Sequence, residues 1–249
     1  MEALASAVHK DAQPDATVDT ARRVLASVGI EPEEGPWYGF PGSCHSLELQ
    51  GDPGLAGLRS NGKGMTKALA RASAYGELLE RVQNGGGFAA VVTRDYGLMP
   101  SHGRYHPDER DVPVATTFDR QGAVLDSLLA CSRERALAII GGHADMLTSV
   151  PYFDSTRRTV KYLPAALLDL ACSNNGKCAG NSPEEALVQG ICEVFERYVA
   201  RELYSRPDVV VPTIPLSVFE PTATSAMIDA ITGDGYTLVV KDCTLGGRF

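Results

Sequence analysis

The stretch GMTKALARASAYGELLER, residues 64–81, returns at residues 180–197 as GNSPEEALVQGICEVFER. A chain that carries one pattern twice must build two related elements, and the fold must place both. At a constant offset of 116 residues Gly64 answers Gly180, Thr66 answers Ser182 and Ala70 answers Ala186. Glu77 answers Glu193, Glu80 answers Glu196 and Arg81 answers Arg197, while Gly76 meets Cys192. Each copy follows an Asn-Gly sequence, SNGKG or SNNGK, and has a hydroxyl residue where a helix N-cap belongs. The pattern predicts, twice over, a glycine-rich turn that feeds a helix bearing ExxER.

In the second copy Glu185, Gln189, Glu193 and Glu196 recur at helical spacing and form one polar stripe. Val188, Ile191, Cys192, Phe195 and Val199 fall on other faces and are expected to pack on a core. In the first copy Ser73, Glu77 and Glu80 form the shorter equivalent, with Leu69, Leu78 and Leu79 elsewhere. Glu77 with Arg81 and Glu193 with Arg197 are also i,i+4 pairs, worth ~0.3–0.5 kcal/mol each on a solvated helix. That explanation suffices for either helix alone but explains neither the repetition nor the glycines. Glutamates drawn together repel, and one or two divalent cations with oxygen ligands relieve the repulsion, magnesium being the best suited. Glycine turns before helix N-termini present N–H groups and a positive dipole end to phosphates. Together these features point to a magnesium nucleotide. A P-loop is the competing reading, since GLRSNGKG (residues 57–64) fits GxxxxGK; it lacks the closing Ser/Thr that would hold the magnesium.

A net charge of -8 argues against a sequence-independent grip on nucleic acid. No apolar run approaches the roughly 20 residues of a membrane helix, and MEALASAVHKDAQPD lacks a continuous apolar core, so a cytoplasmic chain with no membrane partner is expected. The six cysteines form no CxxC pair and suit buried thiols in a reducing compartment. The histidines, at 9, 45, 102, 106 and 143, form no HxxxH or HExxH pattern. Cys44 and His45, as neighbours on an extended chain, point to opposite sides and make no catalytic dyad.

Along the chain, TVDTARRVLASVGIEP predicts a helix N-capped by Thr17 and ended at Gly29. Residues 36–58 read as loop, strand (HSLELQ) and loop. NGGGFAAVVTRDYG, RALAIIGG and VVVP read as short strands, and residues 98–160 as a variable insertion between the element at 58–97 and that at 161–205. PLSVFEPTATSAMIDAITGDG reads as a loop and helix, and YTLVVKDCTLGG as a strand entering a turn. Helices and strands interleave without a βαβ period, which predicts an α+β class with a mixed or antiparallel sheet in a single domain.

On the three ordered stretches SNGKGMTKALARASAYGELLER, AGNSPEEALVQGICEVFERYV and VVKDCTLGGRF, the chain resembles YcaO-domain proteins, most closely the free-standing bacterial type. The resemblance implies an α+β ATP-binding fold that uses Mg2+ and ATP to phosphorylate a backbone amide oxygen of a peptide or protein. A nucleophile then gives an azoline, a thioamide or an amidine. It further implies Glu77, Glu80, Glu193 and Glu196 as magnesium ligands, and Lys10, Thr17, Ser73, Cys178, Asn181, Glu185, Gln189 and Arg197 around the nucleotide. Arg197 would be the residue that stabilises charge in the reaction. Cys178 and Thr17 stand where the family pattern has serine; threonine keeps the hydroxyl, and the thiol weakens one hydrogen bond. The free-standing type implies an accessory role in methylthiolation of ribosomal protein S12. The implied partners are a TfuA-like protein, a thiazole-forming protein or a methylthiotransferase, with a homodimer left open. The family pattern continues with more sheet and a later arginine after CTLGGRF, so the chain reads as an incomplete domain, inactive alone. The alternative readings are a nucleotide-binding subunit that presents a substrate without catalysing, and an acidic structural module.

Overall fold

Pro14 lacks the N–H that the first helical position leaves unused, so helix α1, Pro14–Ser27, begins there and not at Thr17. Thr17 is therefore one turn inside the helix, which frees its hydroxyl for a distant partner described below. Val18, Ala21 and Leu25 recur at helical spacing and are buried. The helix closes as expected: Gly29 has φ 77°, and the N–H groups of Gly29 and Ile30 donate to Ala26 and Leu25 carbonyls. The computed structural model describes residues 10–40, 44–51, 58–84, 107–117, 126, 131–135, 138, 145–165, 168, 175–206, 208–220 and 222–247.

The chain divides into two compact units, residues 1–87 with 176–249, and residues 88–175. In the first, β1 (Glu33–Phe40), β2 (Cys44–Gln50) and β3 (Arg59–Gly64) form an antiparallel sheet in the order β1-β2-β3. β1 occupies part of the stretch expected to be loop. Its pairing with β2 is irregular between Glu34 and Trp37, which accommodates Pro36 within a strand. β2 follows its alternating sequence, with Leu47 and Leu49 buried and opposite Gly62 and Ser60 of β3.

β3 corrects the first expected glycine turn: SNGKG is a strand. The next helix, α2 (Lys67–Gln83), packs so closely on it that a Cβ on Gly62 would strike the backbone of Ala70 and Ala74, and one on Gly64 would strike Ala70. The glycines thus serve backbone approach rather than a phosphate loop, and the P-loop reading falls with the turn. Ser60 Oγ donates to the Ala74 carbonyl at 2.7 Å along the same seam. The core joins Val18, Ala21 and Leu25 of α1, Leu47 and Leu49 of β2, and Ala74, Tyr75, Leu78 and Val82 of α2.

Gly76 sits inside α2 with nothing within 4 Å of where a Cβ would be. Gly76→Ala is expected to stabilise the unit by ~0.5–1 kcal/mol, because alanine loses less backbone entropy in a helix. A higher midpoint in urea, with unchanged slope, is the outcome that checks it.

Helix α3 (Pro183–Ser205) carries the second copy. The core face expected of it is not buried: Val188, Ile191, Cys192 and Phe195 are exposed, and only Gly190 is buried. No described helix or strand packs along it extensively, so its apolar residues have no layer to enter. Beyond it lie β7 (Thr213–Ile214), a 3-10 turn at Leu216–Phe219, helix α4 (Ala223–Gly233) and β8 (Val240–Lys241), with β7 and β8 antiparallel. The expected strand VVVP is displaced to the next two residues, and YTLVVKDCTLGG keeps only Val240–Lys241 as strand.

The second unit contains β4 (Arg110–Pro113), β5 (Met146–Asp154) and β6 (Thr159–Pro164), antiparallel in the order β4-β5-β6. Here lies most of the stretch read as an insertion. The β5–β6 hairpin has no counterpart among the sequence expectations; Asp154 shapes its turn by accepting from the N–H groups of Thr156 and Arg157. NGGGFAAVVTRDYG, apart from Asn84, and RALAIIGG, apart from Arg135 and Ala138, lie outside the described residues. Among the described residues no helix is long and apolar enough to cross a membrane. None of Cys44, Cys131, Cys178, Cys192 and Cys243 is buried as expected: each lies on a strand end, loop or uncovered helix face.

Candidate functional site

The two copies of the repeat build the same local structure. Thr66 and Ser182 adopt nearly the same extended N-cap conformation, at φ/ψ −129/158° and −136/162°. Their side-chain oxygens accept from Leu69 N and Glu185 N, three residues on, at 3.2 and 3.1 Å. A Cβ on Gly64 would strike Ala70, and one on Gly180 would strike Ala186, so in both copies the chain before the cap passes against the first helical turn. The packing one turn further is reciprocal. Gly62 faces Ala74, whereas its equivalent Cys178 faces Gly190, where a Cβ would lie 2.8 Å from the sulfur. Glycine has moved from strand to helix between copies, which explains Cys178 as a packing choice.

Within this unit Glu77 and Glu193 both act on Glu80. Glu80 is pushed from 4.5 up to about 7, first by burial and then by the negative charges of Glu193 and Glu77; Arg81 and Lys177 oppose the rise. Glu77 accepts from Arg81, whose guanidinium also reaches the Arg59 carbonyl, and from Asn61 N at 3.4 Å. Glu193 meets Arg197 at 3.6 Å, a half-exposed pair of modest worth. Glu196 is exposed. An all-oxygen set of crowded carboxylates suits a hard cation. Among the described residues no three such side chains converge as a ready-made metal cage. Magnesium does not need one, because it takes one or two carboxylates and fills its shell with water and phosphate oxygens.

The raised Glu80 makes stability depend on pH. Its folded-state value lies above its unfolded value, so the folded chain holds the proton more tightly and stability falls as pH rises from 4.5 to about 7. Glu80→Gln is expected to remove this decline, leaving the variant more stable than the parent at pH 8. Denaturant midpoints at pH 4.5 and 8, without divalent cations, check it.

At the α3 N-terminus four expected site residues come together. Lys10 Nζ lies 3.0 Å from Glu185 Oε1, and Asn181 Nδ2 donates to Glu185 Oε2 at 3.1 Å. Thr17 Oγ1 donates to Asn181 Oδ1 at 2.9 Å. Burial alone would raise Glu185, but the Asp11 N–H, Asn181 and Lys10 outweigh it and hold the carboxyl below the usual range. Ser73 and Gln189, equivalent in the repeat, are exposed on α2 and α3, apart from this cluster's hydrogen bonds. Cys178 is close enough to Glu80 and Glu193 to feel both; burial first and these charges next push its thiol up, so it is no thiolate nucleophile.

Three residues escape the sequence reading. Asp11 donates its N–H to Glu185 at 3.1 Å and its carboxylate accepts from Ser182. Lys177 and Asn61, one offset of 116 apart, both act on the acidic cluster. Their equivalence in the repeat was the available signal for the pair.

Residues 61–249 match the family described as "YcaO cyclodehydratase, ATP and Mg2+-binding". The chain belongs to the YcaO family. It is 28% identical over 251 residues to the Escherichia coli protein named ribosomal protein S12 methylthiotransferase accessory factor YcaO. An uncharacterised Haemophilus influenzae protein is 28% identical over 250 residues. Both alignments take in 96% of this chain, which spans 42% of the length of each relative. A heterocyclase solved in complex with substrate and cofactor superposes with a TM-score of 0.63 at 21% identity, covering 95% of this chain and 34% of that one. That likeness bears out the α+β fold.

Proposed function

We propose that this YcaO chain supplies the Mg2+- and ATP-binding part of an enzyme that activates a peptide or protein backbone amide by O-phosphorylation. The observation that carries the reading is the charge of Glu77 and Glu193, one from each copy of the repeat, acting on Glu80, in the same unit as an α3 N-terminus organised by Lys10, Thr17, Asn181 and Glu185. Magnesium held by Glu77, Glu80, Glu193 and Glu196 would neutralise phosphate charge. Around it, Lys10, Asn181, Glu185, Ser73 and Gln189 bind and orient the nucleotide, and Arg197 stabilises the charge of the transferring phosphoryl group.

A backbone amide is a poor electrophile because resonance is strong and its oxygen leaves badly. In the proposed reaction the amide oxygen attacks the terminal phosphorus and ADP departs. A nucleophile then bonds to the amide carbon, and inorganic phosphate leaves with the amide oxygen. No cysteine or histidine in the cluster is poised as a nucleophile, so substrate or a partner supplies it. Support of ribosomal protein S12 methylthiolation is one setting, suggested by the E. coli relative's name.

The second reading is a nucleotide-binding subunit that presents a substrate. It draws on the word accessory in that name. Heavy oxygen placed in the substrate's amide carbonyl separates the two, in the chain joined to the remaining sequence of its relatives. Label appearing in inorganic phosphate is the expected result. Label retained in the product while ATP is consumed would replace amide activation with the accessory reading.

A further inference from the structure

Trp37, the single tryptophan of the chain, is 37% exposed on β1 at the rim of a crevice of about 330 Å³. Glu34 of the same strand, Asp15 of α1, and Lys67, Ala68 and Arg71 of α2 complete its wall. Lys67 and Arg71 lie one helical turn apart and carry like charges, an arrangement that is unfavourable unless an anion comes between them. Their partners in the chain do not use up their donors. Glu34 accepts from Arg71 Nε at 2.6 Å, from Arg22 Nη2 at 3.0 Å and from the Tyr75 hydroxyl at 3.2 Å, all through Oε1. The two terminal nitrogens of Arg71 are left without an acceptor among the described residues. Lys67 Nζ lies 5.5 Å from the centre of the Trp37 ring and pairs with no carboxylate among the described residues, where the indole N–H of Trp37 also lacks an acceptor. The crevice opens beside a strand edge as well. β1 is outermost in the sheet order β1-β2-β3, so among the described residues one side of its backbone is open to an extended chain.

We propose that this crevice binds the carboxylate side chain of an extended peptide that lies along the β1 edge. A planar carboxylate matches the two terminal nitrogens of Arg71, Lys67 supplies a second positive charge, and the Trp37 ring packs on the methylenes of the side chain. Phosphate fits less well, because Asp15 and Glu34 line the same space and repel a dianion more strongly than a monoanion. A volume at the low end for ligand sites suits one side chain, and the strand edge takes the backbone on either side of it. The site is separate from the magnesium nucleotide and the amide chemistry, and the proposal does not rest on them.

The test reads Trp37 fluorescence, which no other tryptophan obscures. The probe is acetyl-Thr-Val-Thr-Glu-Thr-Val-Thr-amide, titrated into the chain at low ionic strength. Its comparators are the same peptide with Gln in place of Glu, the same peptide with phosphoserine in that place, and free glutarate. The glutamate peptide is expected to shift the emission saturably, and the Gln peptide and glutarate to bind at least ~10-fold more weakly. Lys67→Gln removes a charge that makes no ion pair among the described residues, so the variant should fold and bind the glutamate peptide ~10-fold more weakly. An emission that does not respond, an equal response to the Gln peptide, or unchanged affinity in Lys67→Gln would overturn the proposal. So would tighter binding of the phosphoserine peptide, which would assign the crevice to phosphate, or glutarate binding as well as the peptide, which would assign it to a free acid.

Discussion

Glu77→Gln combined with Glu193→Gln is expected to weaken magnesium-dependent ATP binding ~100-fold or more, about 2.7 kcal/mol. One glutamate comes from each copy of the repeat, and both press on Glu80, which stands at about 7 without a cation. A divalent ion converts that repulsion into attraction, so removing two of the carboxylates removes part of what draws the ion in. The variant should also retain its fold, because the substitutions lessen like-charge crowding. Calorimetric titration of ATP in excess magnesium reads the affinity, and circular dichroism melting reads the fold. Equal affinity in parent and double variant would remove these carboxylates from the metal assignment.

The largest expected stability effect comes from a single methyl group. A Cβ on Gly62 would meet the backbone of Ala70 and Ala74, which cannot move without displacing α2 from β3. Gly62→Ala should therefore cost about 3 kcal/mol, at the upper end of overpacking, since the obstructing atoms are backbone and not a flexible side chain. Gly76→Ala in the same motif has the opposite sign, so the pair separates close approach from a general effect of replacing glycine. Urea denaturation followed by circular dichroism measures both. A Gly62→Ala variant as stable as the parent would mean that the helix and strand are less tightly apposed than the geometry indicates.

The helices of the repeat were legible because capping residues, apolar spacing and the glutamate register agreed at each position. The same local signals concealed β3. SNGKG has the composition of a turn, and only the approach of Ala70 and Ala74 from a helix later in the chain makes it a strand. β1 was hidden for a related reason, since Pro36 and two glycines interrupt a strand that tolerates them at an irregular pairing. The start of α1 turned on Pro14, whose effect is local but which competes with the stronger capping preference of Thr17. The α3 face shows the limit of periodicity: spacing identifies Ile191, Val194 and Tyr198 as apolar and co-facial, but not whether another layer covers them.

The site was legible to a similar depth. Lys10, Thr17, Asn181 and Glu185, which the resemblance assigns to a nucleotide site, contact one another at the α3 N-terminus. The place of Asp11 depended on where residue 11 crosses α3, a tertiary relation with no local signature.

The central claim is that the two copies together bind a magnesium nucleotide. Calorimetric titration of ATP into the chain, and into the chain fused to the unmatched part of its relatives, with excess magnesium and again with chelator, tests it most directly. The account predicts binding in magnesium that is lost in chelator, with proton release at pH 6 as Glu80 gives up its proton. ATP affinity that is the same with and without magnesium, or absent from both forms, would contradict it.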